Sequence, residues 1–372
     1  MTRLSTLLTL AAALLLGAII VLPFVTTDGW VRQSWDYSPV ISFCLVSLIF
    51  IFWYRHRLPA AIPGTLATVG GLILLSILPG IEAARAGFWA MLASVWVLAW
   101  LFAERLSADL RAKAAPSPVL GALIPIAFGA VILLVWEAGT RGGNVSPVLL
   151  PPPSGIGTAI LDNTSRLWAD FQQTFLRAVL IGYAIGCGSA FIVAILVDRS
   201  PFLRRGLLPL GNFVSALPIV GIAPILVMWF GFDWHSKAAV VVAMTFFPML
   251  VNTLAGLEAT SAIERDLMRT YAASPWQSLL KLRLPAAAPF IFNALKINST
   301  LALIGAIVAE FFGSPVVGMG FRMSSEIGKL NLPLVWAEIA VAALAGSLFY
   351  FVIALVERAV TFWHPSVRRG RA

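Results

Sequence analysis

The chain has 372 residues, 59% of them hydrophobic and 12% charged, with a formal net charge of +9. Soluble globular domains carry about 25% charged residues, so this composition excludes one and places most of the chain in a bilayer. Only helices or closed barrels satisfy their own backbone there, and the length of the apolar runs predicts an all-α fold, a polytopic helical membrane protein.

A span needs roughly 20 apolar residues to cross about 30 Å of hydrocarbon. Such runs lie at 4–25, 38–54, 60–80, 86–103 and 118–137, then at 172–197, 207–231, 237–257, 288–312 and 334–357. About ten transmembrane helices are therefore expected. The first run is longer than the 7–15-residue apolar core of a signal peptide, which favours an uncleaved first span.

With the N-terminus cytoplasmic, alternation puts Arg55, Arg57, Arg105, Arg111, Lys113, Arg204, Arg205, Arg265, Arg269, Lys281 and Arg283 inside. Arg32, Arg85, Arg141, Arg166, Arg177, Lys237, Arg322 and Lys329 fall outside. The positive-inside rule then predicts that both termini are cytoplasmic, in a bacterial inner membrane. It also explains the basic balance without a nucleic-acid partner.

Composition changes near 139–170. Gly142-Gly143-Asn144, then Leu150-Pro151-Pro152-Pro153-Ser154, then mixed polar residues to Asp170 read as an extended extramembrane linker. The expected organisation is an extension of about four spans at 1–110, then a linking span and a periplasmic Pro-rich segment at 111–170. The core follows at 171–365, with a basic cytoplasmic tail at 366–372.

Ionisable groups at the bilayer centre cost roughly 2.5–3.5 kcal/mol on insertion scales, so they normally face protein or water. Glu310 and Lys296 lie near the ends of their run, where snorkelling accounts for them. Asn252, Thr253, Asn293, Asn298, Ser299 and Thr300 sit on the eighth and ninth runs, Ser215 and Trp229 on the seventh. One reading is a translocation path that includes Ser215, Pro218, Trp229, Asn252, Asn298, Ser299 and Glu310. The other is interhelical hydrogen bonding worth about 0.6–2 kcal/mol per bond. Pro218 and Pro224, with Gly221 between them, mark either a broken helix at the pore or a kink.

Cys44 and Cys187 lie in apolar runs and read as packing residues. His56, His235 and His364 are too separated for a metal site. No Gly-x-x-x-x-Gly-Lys-Ser/Thr phosphate loop is present, and no nucleophile–base pairing suggests catalysis. The loop 313–333 faces outside on this topology and is either an entrance or a surface re-entrant segment.

Between the eighth and ninth runs lies a polar, basic segment predicted as one helix over about 264–280. It reads Asp266-Leu267-Met268-Arg269-Thr270-Tyr271-Ala272-Ala273-Ser274, then Pro275-Trp276-Gln277, and closes on Leu282-Arg283-Leu284-Pro285. Ala272 and Ala273 keep its face small, Arg269, Lys281 and Arg283 offer charge, and Pro285 is expected to end it before the next span.

This segment resembles the "EAA loop" of ATP-binding-cassette importer permeases. In that pattern Glu-Ala-Ala is followed after three residues by Gly, and after nine more by Ile-x-Leu-Pro. Asp266 stands for the Glu, Ala272 for the Gly and Leu282 for the Ile, and Leu284-Pro285 match. The likeness extends to Leu150–Ser154, Asp198-Arg199-Ser200-Pro201, Ala216-Leu217-Pro218, Ala223-Pro224, Trp229-Phe230-Gly231 and Ala309-Glu310-Phe311-Phe312-Gly313. These look like the nitrate/sulfonate/taurine branch, which includes permeases for thiamine-precursor pyrimidines and riboflavin. Typical members have one span before the shared core, whereas five are expected here.

The resemblance implies a type I importer permease core and an ATPase-coupling surface at Asp266, Arg269, Thr270, Ala272, Ala273, Ser274, Trp276, Leu282, Leu284 and Pro285. The partners it implies are an ABC ATPase, a periplasmic or lipid-anchored substrate-binding protein, a second permease chain forming a homodimer, and membrane lipids. ATP and Mg would be bound by the ATPase, with no cofactor on this chain. The solute stays open between sulfonates, other small anions, and pyrimidine or flavin-like heterocycles. The alternative is a stand-alone ion-coupled secondary transporter or a membrane-embedded enzyme. That reading needs a cluster of intramembrane acids or histidines.

Overall fold

The computed structural model describes residues 3–53, 59–112, 117–215, 218–313 and 316–363. The chain divides into two compact units, Met1–Gly157 and Thr158–Ala372. Among the described residues, eight helical stretches are long and apolar enough to cross a membrane. The second predicted run forms a shorter apolar helix of 16 residues.

The first unit contains α1 (Arg3–Val21), α2 (Ser38–Trp53), α3 (Ala61–Ile77), α4 (Ala86–Arg111) and α5 (Pro118–Gly142). Its core joins Leu16 and Ile19 of α1 to Phe88, Met91 and Leu98 of α4, all essentially inaccessible. Half of the apolar window of α4 is buried against only 6% of that of α5. Helix α4 is therefore central and α5 peripheral.

The all-α expectation holds for every span, but a small sheet joins them. Strands β1 (Pro23–Thr27), β2 (Trp30–Gln33) and β3 (Ala83–Ala84) pair antiparallel in the order β2-β1-β3. Asp28 and Gly29 both take positive φ, 53° and 75°. That is the combination a two-residue type I′ hairpin demands, and Asp-Gly is a preferred sequence for it.

The expected extended linker is instead helical over much of its length, as α6 (Pro153–Asp162) and α7 (Thr164–Phe171). Proline is tolerated at a first helical position because no N–H is needed there. The buried Glu137 accepts hydrogen bonds from the Ser154 N–H at 2.8 Å and hydroxyl at 2.7 Å. Arg141 pairs with Glu137 and donates to the same hydroxyl. A carboxylate thus caps the start of a helix whose first residue is the last of the three prolines.

In the second unit, α7 continues through a wide, π-type segment, Gln172–Val179, into α8 (Leu180–Arg199). Helices α9 (Pro201–Ser215), α10 (Ile219–Phe230) and α11 (Trp234–Glu258) follow. Next come two short helices, α12 (Ala262–Thr270) and α13 (Pro275–Ser278), then α14 (Leu284–Phe311), α15 (Met319–Gly328) and α16 (Leu332–Val360). The seventh predicted run is not one span. It is divided between α9 and α10, and Pro218 stands before α10 with extended backbone (φ −67°, ψ 121°). Proline has no N–H to donate and disfavours helix in the residue before it.

Buried small residues on α14, namely Ala294, Ala302, Gly305, Ala306 and Ala309, let neighbouring helices approach closely, the usual device where lipid removes the hydrophobic incentive to associate. Met249, Leu250 and Leu254 of α11 pack with Ala294 and with Cys187, Ala190 and Ala194 of α8. Cys44 and Cys187 are both free and buried.

Candidate functional site

The polar segment between α11 and α14 is two helices with a tight turn, not the single helix predicted. Ser261 caps α12 in a reciprocal box: its hydroxyl accepts from the Glu264 N–H at 3.2 Å, and its own N–H donates to the Glu264 carboxylate at 2.8 Å. These bonds hold the Glu264 carboxyl below its ordinary value. Ser274 and Gln277 repeat the box at α13, where Pro275 takes the first helical position.

The turn between them explains the position that Ala272 occupies. Its N–H donates to the Arg269 carbonyl at 2.9 Å, and the Ala273 N–H donates to the Met268 carbonyl at 3.0 Å. That is the Schellman pattern, whose key residue adopts left-handed backbone and is usually glycine. Ala272 adopts it, at φ 49°. The glycine of the resembled pattern has a physical reason, and here alanine carries the strain.

No residue of α12 is buried. Ile263, Leu267 and Tyr271, spaced by four, are 82%, 55% and 77% exposed. At 3.6 residues per turn they form one face. Asp266 and Arg269 form an exposed pair at 3.2 Å, and the Thr270 hydroxyl donates to the Asp266 carbonyl. Trp276 is stacked by the Arg199 guanidinium 3.8 Å from the ring centroid.

Pro285 does not end the helix. A continuous helical run extends from Pro275 to Phe311. It widens to π geometry over Leu279–Arg283, where the Leu284 N–H reaches back five residues to the Leu279 carbonyl. The wider turn accommodates the hydrogen bond and the space that a proline ring removes. Leu279 is buried with Leu257 and Ala287, while Leu282 and Leu284 are half-buried.

The far end of α14 is about 40 Å away, at 1.5 Å per residue. Glu310 is 1% exposed and does not snorkel. It accepts from the Thr174 hydroxyl at 2.8 Å and the Gly320 N–H at 2.7 Å. Asp170 accepts from the Gly318 N–H at 2.6 Å and from Arg322 at 2.8 Å. The two carboxylates thus receive the free donors at the start of α15. A Cβ on Gly320 would lie 2.3 Å from the Ile307 carbonyl oxygen, so only glycine fits that approach. Glu338 is wholly buried with neither oxygen hydrogen-bonded. Lys296 pairs with Glu357 at 2.7 Å rather than reaching for the interface.

The remaining polar residues of the predicted path are dispersed. Asn298 is buried and donates to the Thr245 carbonyl at 2.8 Å, and Ser299 donates to the Lys296 carbonyl. Asn252, half-buried, donates to the Pro248 carbonyl. Of these bonds only that of Asn298 joins two helices, α14 to α11; those of Ser299 and Asn252 stay within their own helix. Trp229 is 75% exposed and Pro218 is also exposed. Ser215 ends α9, and its side chain lies outside the described residues, as do His56, His364, Ala216 and Leu217. Sequence reasoning passes over Asp170, Thr174 and Glu338. The signal for Glu338 was an acid inside the last apolar run.

Residues 182–362 match the family of binding-protein-dependent transport system inner membrane components. A formylaminopyrimidine transport permease protein of Halalkalibacterium halodurans is 31% identical over 242 residues, 65% of this chain and 96% of that protein. A riboflavin transport system permease protein of Chloroflexus aurantiacus is 28% identical over 251 residues, 67% and 92% of the two chains. A taurine transport system permease protein of Escherichia coli is 27% identical over 253 residues, 64% and 89%.

The chain belongs to the ABC importer permease family. It is a permease subunit, a multi-pass protein of the inner membrane that serves transport rather than catalysis. Permeases of this family work with an ABC ATPase and a substrate-binding protein. In this permease the family match runs from α8 to the end of α16, and so covers the exposed α12 face and Glu310, while Asp170 and Thr174 lie just before it.

Proposed function

We propose that this permease engages a separate ATPase through its 264–285 segment and passes a small polar solute delivered by a binding protein. The observation that carries the docking reading is the apolar face of Ile263, Leu267 and Tyr271, exposed on a helix with no buried residue. A polar loop that merely obeyed the positive-inside rule has no need of such a face. Groove-binding helices present apolar anchors at this spacing. ATP and Mg are assigned to the ATPase, and two copies of this chain to one importer with both termini cytoplasmic. Helices α9, α10, α11 and α14 are assigned to the path, and residues 1–110 to an extension of the core.

The solute class is that of the relatives, whose names span pyrimidines, flavins and sulfonic acids. A small polar molecule is common to all of them.

The test is affinity purification of the tagged full chain from its native membrane, with mass spectrometry of what accompanies it. An ATPase with a phosphate loop is expected with the wild type and is expected to be lost with Leu267→Glu, while the variant stays monodisperse in detergent. Retention of the ATPase by that variant at the wild-type level would refute docking on this face.

A further inference from the structure

We propose that Asp198 and Arg283 form the joint through which the coupling segment moves α8, the first helix of the family core. This deepens the docking reading above and rests on it.

Helices α12 and α13 bury none of their own residues, so what presses on them reaches the core through what holds their base and through the exposed stack of Trp276 on Arg199, the last residue of α8. Arg283 is the last residue of the wide turn that joins this segment to α14. Its two terminal nitrogens each lie 2.7 Å from one Asp198 oxygen, a paired-fork geometry, and its Nε donates to the Leu257 carbonyl at 3.1 Å. One side chain therefore ties the coupling segment to α8, 85 residues away, and to the last turn of α11.

Three features mark this pair as more than a surface salt bridge. The Asp198 side chain is 9% exposed and that of Arg283 21%, so water screens the pair weakly. Asp198 stands next to last in α8, where the helix dipole disfavours an anion, and the guanidinium offsets that cost. Three directed bonds from one planar group fix an orientation as well as a distance, which a lysine ammonium does not. Lys281, two residues earlier, is exposed and free of this geometry. Arg283 is thus a positioning residue.

The experiment is hydrogen exchange read by mass spectrometry on the full chain with its co-purified ATPase, with and without ATP-vanadate. In the wild type, nucleotide is expected to change exchange both in residues 262–278 and in residues 190–199. With Asp198→Asn or Arg283→Lys the change at 262–278 is expected to persist and the change at 190–199 to be lost. Asp198→Arg combined with Arg283→Asp is expected to restore most of it, which a merely structural loss would not allow. An unaltered change at 190–199 in either single variant, with ATPase still bound, overturns the joint while leaving docking intact. Absence of the ATPase from the wild type overturns docking, and the joint with it. Arg283→Lys keeps the charge, so it carries the comparison alone if the Asn variant does not fold.

Discussion

The Thr174 hydroxyl donates to the Glu310 carboxylate across 136 residues of sequence, at 2.8 Å. The same hydroxyl accepts from the Met319 N–H at 2.8 Å. One buried carboxylate thereby holds the start of α15 against α14 and the π-type segment before α8. Glu310→Ala leaves the Gly320 N–H and the Thr174 hydroxyl buried without an acceptor. A loss of about 2–3 kcal/mol is expected, near the upper range for an unsatisfied buried donor. Glu310→Gln keeps one acceptor and is expected to cost less. Thermal unfolding of the full chain in detergent checks the order; equal melting temperatures for wild type and Glu310→Ala would contradict it.

Ala272 holds left-handed backbone in its turn. Glycine adopts that conformation without the Cβ penalty, so Ala272→Gly is expected to stabilise the turn by about 1 kcal/mol, and Ala272→Val to weaken it. Amide exchange at Ala272 and Ala273 gives the readout: slower in the glycine variant, faster in the valine variant.

Glu338 is buried with no hydrogen-bond donor bonded to either oxygen, and its carboxyl group lies against that of Asp170 and near Arg322. Burying an acceptor unpaired is costly, whereas an amide can donate to the Asp170 carboxylate. Glu338→Gln is expected to leave the melting temperature unchanged or raise it. Asp170→Asn breaks the pair with Arg322 and is expected to lower stability by about 3 kcal/mol. A fall with Glu338→Gln as large as with Asp170→Asn would show that Glu338 has a partner of equal weight.

The capping box of α12 is pH-sensitive by construction. The Ser261 bonds hold the Glu264 carboxyl below its ordinary value of 4.5. A depressed carboxyl contributes order that is present above the ordinary value and is lost as pH falls through the folded-state one. The first turn of α12 is therefore expected to fray below pH 4.5. Glu264→Gln keeps the box geometry without the titration. Exchange at residues 262–265 across pH 3–6 separates the two, and equal pH profiles would dismiss the carboxyl's role.

Much of this architecture was legible in composition, because apolar length alone fixes where helices cross lipid. The predicted runs at 60–80, 118–137 and 237–257 lie within or close to helices of the structure. What escaped was local chemistry that pattern reading averages away. The Asp28-Gly29 hairpin has strands of four and five residues, too short for periodicity to register. The triple proline looked like a linker because Glu137, far behind in sequence, supplies the cap that starts α6. Pro285 looked like a helix stop because a π-type turn, invisible in residue types, takes up its missing bond. The 264–285 segment stands out in the sequence through Leu284-Pro285 and Ala272. Its apolar face was not read, because Ile263 precedes the resembled pattern. The bonds of Thr174 and Asp198 are tertiary and leave no mark in a local window.

The exposed face of α12 also bears on how this protein is made. Ile263, Leu267 and Tyr271 are exposed in the lone subunit, on a helix that belongs to none of the apolar stretches long enough to cross a membrane. On the docking reading proposed above, a copy synthesised ahead of its partner carries an uncovered adhesive patch on a short, unburied helix, the kind of feature that self-association and proteases find first. Balanced output of the subunits is then a structural requirement, and a surplus of this chain is a burden on membrane quality control.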